Sequence, residues 1–591
     1  MNDFRPTFRT VTDIYRRSMA SYANCPLFGV KRGTAFEWST YGAFGEQVER
    51  FRGGLASLGV QRGDRVAVIA NNRPEWAVGA YATYTLGAAY VPMYEAQHSK
   101  EWAYILRDSG SKAVLVGNQG IADALLTHKA ETPELEHIIV LGAAKAPALS
   151  FDEVLKRGAS NPAPLVDSEP EDVCNYIYTS GTTGNPKGVL LTHSNIASNV
   201  SAIHAVFPIE RDDRSLSFLP WAHSFGQVVE LHALFSMGAS MGIAEAVEKI
   251  VQNLAEVQPT LLFSVPRIFN RIYEAVHKKV EADGGVKKAL FEATMANAAL
   301  RRKLAQEGQT SLVVELKYAL LDRLVSSKIR ARFGGRLKYA FSGGAAIAKE
   351  VAEFVDNLGI TVYEGYGLTE TSPIATANWP GSRKLGSVGR PIPGVEVTVS
   401  SNGELVVHGH NVMKGYHHLP DENAKVFTDD GGFRTGDMGY IDDEGFVFIT
   451  GRIKEQYKLE NGKYVAPVPL EEQLKLSPFI TNVMVYGDNK PFNVALVVVD
   501  PEAVKQWATS EGVHGGDLEA LLKDQKVRAL IDTEIAKHSD QFKQFERVKN
   551  FALIGEDFTT ENDMLTPSLK LKRRVVLDRY GDRLQGLYTK N

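Results

Sequence analysis

Trp76-Ala77-Val78-Gly79-Ala80-Tyr81-Ala82-Thr83-Tyr84-Thr85-Leu86-Gly87-Ala88-Ala89-Tyr90-Val91-Pro92-Met93-Tyr94 carries no charged side chain, and its reading decides the fold. About 18 uncharged apolar residues are enough to span a bilayer, so a membrane helix has to be tested first. Gly79, Thr83, Thr85, Gly87 and Pro92 interrupt the run, and it holds two patterns rather than one. Residues 77–86 read as a buried helix and residues 88–94 as a buried strand, the two halves of a packed α/β unit. Val66-Ala67-Val68-Ile69 before it and Val114-Leu115-Val116 after it read as further buried strands. Earlier still, Phe44, Val48, Phe51, Leu55 and Leu58 recur at spacings of four and three. Thr40 is placed to cap that helix and Gly59 to stop it. The alternation predicts a doubly wound α/β sheet.

The whole chain has 591 residues, which at ~150 per domain suggests about four cores. Hydrophobic residues are 44% and charged residues 23%, the mixture of a globular protein rather than a disordered or fibrous one. Lys plus Arg is 66 and Asp plus Glu 70, for a net charge of -4. No global basic field exists to hold a nucleic acid. Cys25 and Cys174 are the sole cysteines, too few for a disulfide-stapled scaffold. The N-terminal stretch lacks a signal-peptide pattern and the C-terminal one a peroxisomal address. A cytoplasmic enzyme is expected.

Residues 271–332 turn almost wholly helical. Leu316, Leu320, Leu324 and Ile329 lie near one stripe, predicting a helical layer over part of the core. After Gly381 come short β segments punctuated by Gly and Pro, and past Arg452 about one more domain of mixed α and β.

Four segments carry chemistry. Tyr178-Thr179-Ser180-Gly181-Thr182-Thr183-Gly184-Asn185-Pro186-Lys187-Gly188 combines glycines that can curl around anionic oxygens with hydroxyl donors and one mobile cation. It lacks Walker spacing, and strand-like flanks show a loop joining two strands. Otherwise it is a glycine-rich hairpin turn. Tyr363-Glu364-Gly365-Tyr366-Gly367-Leu368-Thr369-Glu370 follows a strand, where α/β sheets bind ligands. There Tyr366 could stack on a base and Glu370 could hold magnesium, or the segment is a turn with a core-capping Tyr. In Arg434-Thr435-Gly436-Asp437, followed by Gly451-Arg452-Ile453-Lys454, Asp437 could accept ribose hydroxyls. Leu565-Thr566-Pro567-Ser568-Leu569-Lys570-Leu571-Lys572 would, alone, be a basic solvated end.

In this order, the four segments resemble the adenylate-forming acyl-CoA synthetases, and within them a long-chain-fatty-acid–CoA ligase. The resemblance implies an α/β fold: a large N-terminal domain (residues 1–451) of two α/β subdomains plus a β-barrel, and a smaller mobile α+β domain (residues 452–591). It implies that ATP and a fatty acid give acyl-adenylate and pyrophosphate, after which CoA displaces AMP. The same chemistry on a medium-chain or aromatic acid is the alternative. Thr179, Ser180, Gly181, Thr182, Thr183, Gly184 and Lys187 would hold the departing phosphates, Tyr366 and Gly367 the adenine, and Asp437 and Arg452 the ribose. Thr369 would contact the α-phosphate, Glu370 would bind Mg²⁺, and Lys570 would bridge carboxylate and α-phosphate. His223 would line the acid site, or is a core histidine. Gly343 and Gly344 would let adenine and acyl chain pass. Gly462 would flank the CoA tunnel, or is an Asn-Gly turn. Two departures bear on the acid: relatives usually carry Asp-Arg-Lys-Lys where this chain has Gly451-Arg452-Ile453-Lys454, and an early Glu-Arg is missing after His223. The lipid-soluble substrate suggests peripheral membrane contact.

Overall fold

The computed structural model describes residues 4–179, 185–513, 517–566 and 569–589. The uncharged run folds as read. Helix Pro74–Tyr84 is buried from Trp76 onward, and strand Ala89–Met93 is buried throughout. Its neighbours Arg65–Ile69 and Val173–Thr179 flank it in parallel. The preceding helix is Tyr41–Ser57, with the Thr40 hydroxyl accepting from the Ala43 amide. It crosses helix Phe151–Ser160 where Gly53 and Gly54 meet Gly158. A Cβ on Gly158 would lie 1.6 Å from the Arg50 carbonyl oxygen, so only glycine permits that approach.

Two large sheets form the first three-quarters of the chain. An eight-stranded sheet runs in the order Gly415–Tyr416, Lys187–Thr192, Val173–Thr179, Ala89–Met93, Arg65–Ile69, Ala113–Val116, His137–Val140, Leu149–Ser150. A nine-stranded sheet has Leu261–Ser264, Tyr339–Ser342 and Thr361–Gly367 as parallel neighbours near its middle. The strand pair Pro26–Arg32 and Ala35–Thr40 closes its far edge, so the chain starts in the second sheet before building the first. Where the barrel was expected, Val395–Val399, Glu404–Gly409, Phe433–Ile441 and Val447–Arg452 form a four-stranded antiparallel sheet. A smaller unit follows, with the sheet Ile480–Tyr486, Asn493–Val499, Val548–Ile554 and helices around it. It leans on the larger part: Leu476 joins a core cluster with Val351 and Phe354, and the Gln473 amide donates to Glu350 at 2.7 Å.

The helical layer departs from expectation. Helices Pro266–Asp283, Gly285–Gln306 and Leu312–Leu321 exist as read, and Ile329 packs against the core. Leu316, Leu320 and Leu324, however, face solvent. The helix packs instead through Val314, and Val325 beyond it. Both faces are apolar, so periodicity alone assigned the wrong one to the interior. Both cysteines are free thiols. Among the described residues, no helix is long and apolar enough to cross a membrane.

Candidate active site

The phosphate loop hangs between antiparallel strands Val173–Thr179 and Lys187–Thr192, with Thr179 paired to Lys187 in register. Ser180, Gly181, Thr182, Thr183 and Gly184 lie outside the described residues. Lys187, at the loop's far end, is engaged by protein. Its Nζ lies 2.5 Å from Glu422 Oε2 and 5.2 Å from the centre of the Tyr416 ring. Lys425 meets the other oxygen of Glu422 at 2.8 Å. Hydrogen bonds from Lys187, then Lys425, hold the Glu422 carboxyl down at about 2. Tyr416 also donates its hydroxyl to Glu370 Oε1 at 2.8 Å, so one tyrosine links the two motifs.

Strand Thr361–Gly367 delivers the second motif to the end of the nine-stranded sheet. Gly367 is there for a local reason: a Cβ would sit 1.7 Å from the Pro373 carbonyl oxygen. Beyond it a single short turn, Thr369–Thr371, presents Thr369 and Glu370. The Thr369 hydroxyl lies 3.3 Å from that of Ser224, the residue after His223.

Tyr366 and Arg452, both partly exposed, converge on the buried carboxylate of Asp437. Tyr366 donates its hydroxyl to Asp437 Oδ2 at 2.6 Å, and Arg452 donates Nε–H to Oδ1 at 2.7 Å. Asp437 and Arg452 face each other on adjacent strands in register, so the pair is fixed by the sheet. Burial disfavours the Arg452 charge, but the Asp437 carboxylate outweighs it and raises the guanidinium above its ordinary range. Burial, then Asp437, pushes the Tyr366 phenol well up.

Lys570 arrives from the smaller unit. Desolvation lowers its ammonium pKa, Arg452 lowers it further, and Glu370 and Asp437 oppose the shift. The same lysine acts on His223, whose pKa falls to about 4, chiefly through burial. His223 is therefore neutral near pH 7. Its Nδ1 accepts from the Phe225 amide at 3.2 Å, which leaves the ring proton on Nε2. Next to it, Gly343 follows strand Tyr339–Ser342, and a Cβ there would come within 3.2 Å of the Phe225 ring. Gly344 takes a left-handed φ of +82°.

The structure thus brings His223, Thr369, Glu370, Tyr366, Asp437, Arg452 and Lys570 into one neighbourhood, with Gly343 against the Phe225 ring. Gly462 stands apart. It has φ +84° in the turn between Tyr457–Lys458 and Tyr464–Val465, where the Lys463 amide donates to Asn461 Oδ1. Sequence reasoning missed Tyr416, Glu422 and Ser224. Glu422 lies 235 residues from Lys187, and no spacing rule connects them.

A second buried acid lies close by. Glu230 accepts from Ser215 at 2.7 Å and Ser217 at 2.8 Å, and burial raises its pKa to about 7.

Residues 20–417 match the AMP-binding enzyme family, and residues 454–591 match the AMP-binding enzyme C-terminal domain. The chain belongs to the AMP-binding enzyme family. It is 34% identical, over 91% of its length and 90% of the relative's, to a long-chain-fatty-acid–CoA ligase of Mycobacterium tuberculosis. It is 32% identical to the peroxisomal long chain acyl-CoA synthetase 7 of Arabidopsis thaliana, covering 99% of this chain and 87% of that one. Among solved structures, the adenylation domain of a Mycobacterium chelonae carboxylate reductase superposes with a TM-score of 0.81 at 21% identity, covering 99% and 92% of the two chains. The corresponding domain from Segniliparus rugosus, in complex with AMP and a carboxylic acid, gives 0.77 at 22% identity over 98% and 94%. These AMP-binding neighbours share the α/β architecture of a large N-terminal and a smaller C-terminal part.

Proposed function

We propose that this enzyme activates a fatty acid with ATP and transfers the acyl group to CoA, with a long-chain acid as its substrate. In the first step a carboxylate oxygen attacks the α-phosphorus and pyrophosphate leaves. In the second, the CoA thiolate attacks the acyl carbonyl carbon and AMP leaves. A free carboxylate resists nucleophiles because of its own charge, and the adenylate replaces a poor leaving group with a good one. Charge builds on phosphate oxygens in the first step, so catalysis is positioning plus electrostatic stabilisation.

The observation that carries this reading is the convergence of Lys570 on Arg452, Asp437, Glu370 and His223. A lysine with lowered pKa at the meeting point of two units suits a group that neutralises carboxylate and α-phosphate together. Lys187 exchanges Glu422 for phosphate oxygens, Asp437 takes the ribose hydroxyls, and Tyr366 lies against the base. Neutral His223, with its Nε2 proton free to donate, orients the acid without adding charge. CoA enters past the turn that holds Gly462, and the boundary between the two working parts falls at 451/452.

Magnesium fits the donor set. Glu370 Oε2 has no hydrogen-bond partner among the described residues, while Oε1 is held by Tyr416. No group of three or more His, Cys, Asp or Glu could hold a metal by itself among those residues. Glu370 would hold the ion through Oε2, and the ion would supply positive charge beside the phosphates. Long-chain selectivity is supported by the named activity of relatives at 32–34% identity over nearly the whole chain.

Incubating the protein with ATP, Mg²⁺ and CoA against acids of graded chain length and aromatic acids, reading AMP and thioester, tests the proposal. The longest chains should give the highest kcat/KM. Preference for an aromatic acid would overturn the substrate assignment, and absence of thioester with every acid would overturn the reaction.

A further inference from the structure

Lys570 sits on a loop that is pinned at several points. Leu565 and Leu571 pair across its base. The Lys570 amide donates to the Thr566 hydroxyl at 3.0 Å, and the Thr566 amide donates to the Lys570 carbonyl at 2.8 Å. Leu569, next to the lysine, holds φ +61°, a left-handed conformation that glycine alone takes without cost. Such strain persists where the surrounding structure over-determines the backbone.

The anchor lies three residues on. Helix Arg573–Gln585 opens with Arg573, whose two Nη groups reach the two oxygens of Glu471 at 2.8 and 2.5 Å. Glu471 is buried, and its Oε1 also accepts the Val485 amide at 2.7 Å. Arg573 closes the triangle by donating to the Val485 carbonyl at 3.3 Å. A two-pronged contact of this kind fixes orientation as well as distance. Glu471 lies on helix Pro467–Leu474, which also carries Gln473, the donor to Glu350 of the larger part. Two residues apart on a helix is a turn of about 200°. One side of this helix therefore meets the larger part, and the other holds the foot of the lysine loop.

We propose that Glu471 and Arg573 are positioning residues for Lys570, and that helix Pro467–Leu474 transmits docking of the smaller unit to the lysine's place in the cleft. The proposal rests on the ligase reading, in which Lys570 neutralises carboxylate and α-phosphate together. ATP is held by Asp437, Arg452 and Lys187, so a misplaced lysine slows the first step without loosening the nucleotide. The second step forms no bond to phosphorus and does not need that cation in place.

Two half-reactions separate positioning from folding. Acid-dependent exchange of pyrophosphate into ATP reads the first step, and thioester formation from synthetic acyl-adenylate and CoA reads the second. Arg573→Gln should lower the exchange kcat by up to about 100-fold, the cost of a misplacement near 1 Å. Arg573→Lys keeps the charge but loses the fork, and should lower it by a smaller factor. In both, the KM for ATP and thioester formation should stay near wild type. Glu350→Ala, which cuts the contact with the larger part, should lower exchange about three- to tenfold, as the loss of one hydrogen bond does. Arg528→Gln is the structural control, since Arg528 ties a helix to a strand of the same unit through the Phe551 carbonyl and Asn550. It should lower the melting temperature and leave the ratio of the two half-reactions unchanged. Equal losses in both half-reactions for the Arg573 variants would assign the pair to folding alone and overturn the proposal. If Arg573→Gln does not fold, Arg573→Lys and Glu350→Ala decide by the same ratio. Wild-type exchange in Glu350→Ala overturns the transmission through the helix. Full exchange in Arg573→Lys beside none in Lys570→Ala overturns the positioning and leaves the ligase reading intact, whereas a wild type without exchange or thioester overturns that reading itself.

Discussion

The two ends of the cleft are both held by ion pairs, but of opposite kinds. At one end Asp437 and Arg452 sit on adjacent strands in register, with side chains 7% and 38% exposed. At the other, Lys187 meets Glu422 across 235 residues of chain, with both side chains about 30% exposed. The register of the sheet holds the backbones of the first pair opposite each other. The second is a contact between side chains alone, joining segments far apart in the sequence. One end is preformed for its part of the nucleotide, and the other keeps its cation occupied until phosphates replace a carboxylate.

That contrast can be broken most directly at Asp437. Asp437→Ala removes the acceptor of both the Tyr366 hydroxyl and the Arg452 guanidinium. It should raise the KM for ATP by about 100-fold or more and lower the melting temperature, the two effects appearing together. A variant with normal stability and weak ATP binding would show that Asp437 serves the ligand alone. Next in size, Gly367→Ala should destabilise the protein by about 2–4 kcal/mol, because its Cβ strikes backbone. Calorimetry would register it, and a neutral result would mean that the Pro373 backbone gives way.

Glu230 sharpens the comparison through pH. Its folded pKa of about 7 lies above the ordinary carboxyl value, so the folded state holds a proton that the unfolded state releases. Stability from this group is present below the unfolded pKa and is lost as pH rises towards about 7, at up to about 1.4 kcal/mol per unit. Glu230→Gln should remove that slope between pH 5 and 7 in melting curves. Buried His223, with its pKa lowered to about 4, acts in the opposite sense by losing stability as pH falls below the unfolded value. The difference between variant and wild type isolates the glutamate. Smallest of all, Glu422→Gln should lower the KM for ATP about threefold with an unchanged melting temperature, as expected when an exposed pair contributes about 1 kcal/mol or less. A raised KM would mean that Glu422 positions Lys187 for the phosphates instead of competing with them.

Much of the fold was legible because its signals are local. Thr40 capping its helix, the break at Gly87, and strand-like flanks on both sides of Ser180–Gly184 each depend on neighbours a few residues away. The members of the site were legible as motifs, and their ligand roles came from resemblance to a family. Tyr416 and Glu422 were not, since a two-residue edge strand and an exposed glutamate leave no periodicity to read. The leucine stripe was misassigned for a different reason. A helix apolar on two faces tells which residues share a side, but not which side meets the core.

The uncharged run that decides the fold also sets a condition on how the chain is made. Strand Ala89–Met93 gains its second parallel neighbour only when Val173–Thr179 has been synthesised. At about 5–20 residues per second, the intervening chain takes roughly 4–17 s to emerge. Throughout that interval a helix charged only at Glu75 and an uncharged strand wait with one edge open, long past the microseconds in which hydrophobic collapse occurs. The segment that anchors the finished sheet is thus made well before its second partner exists.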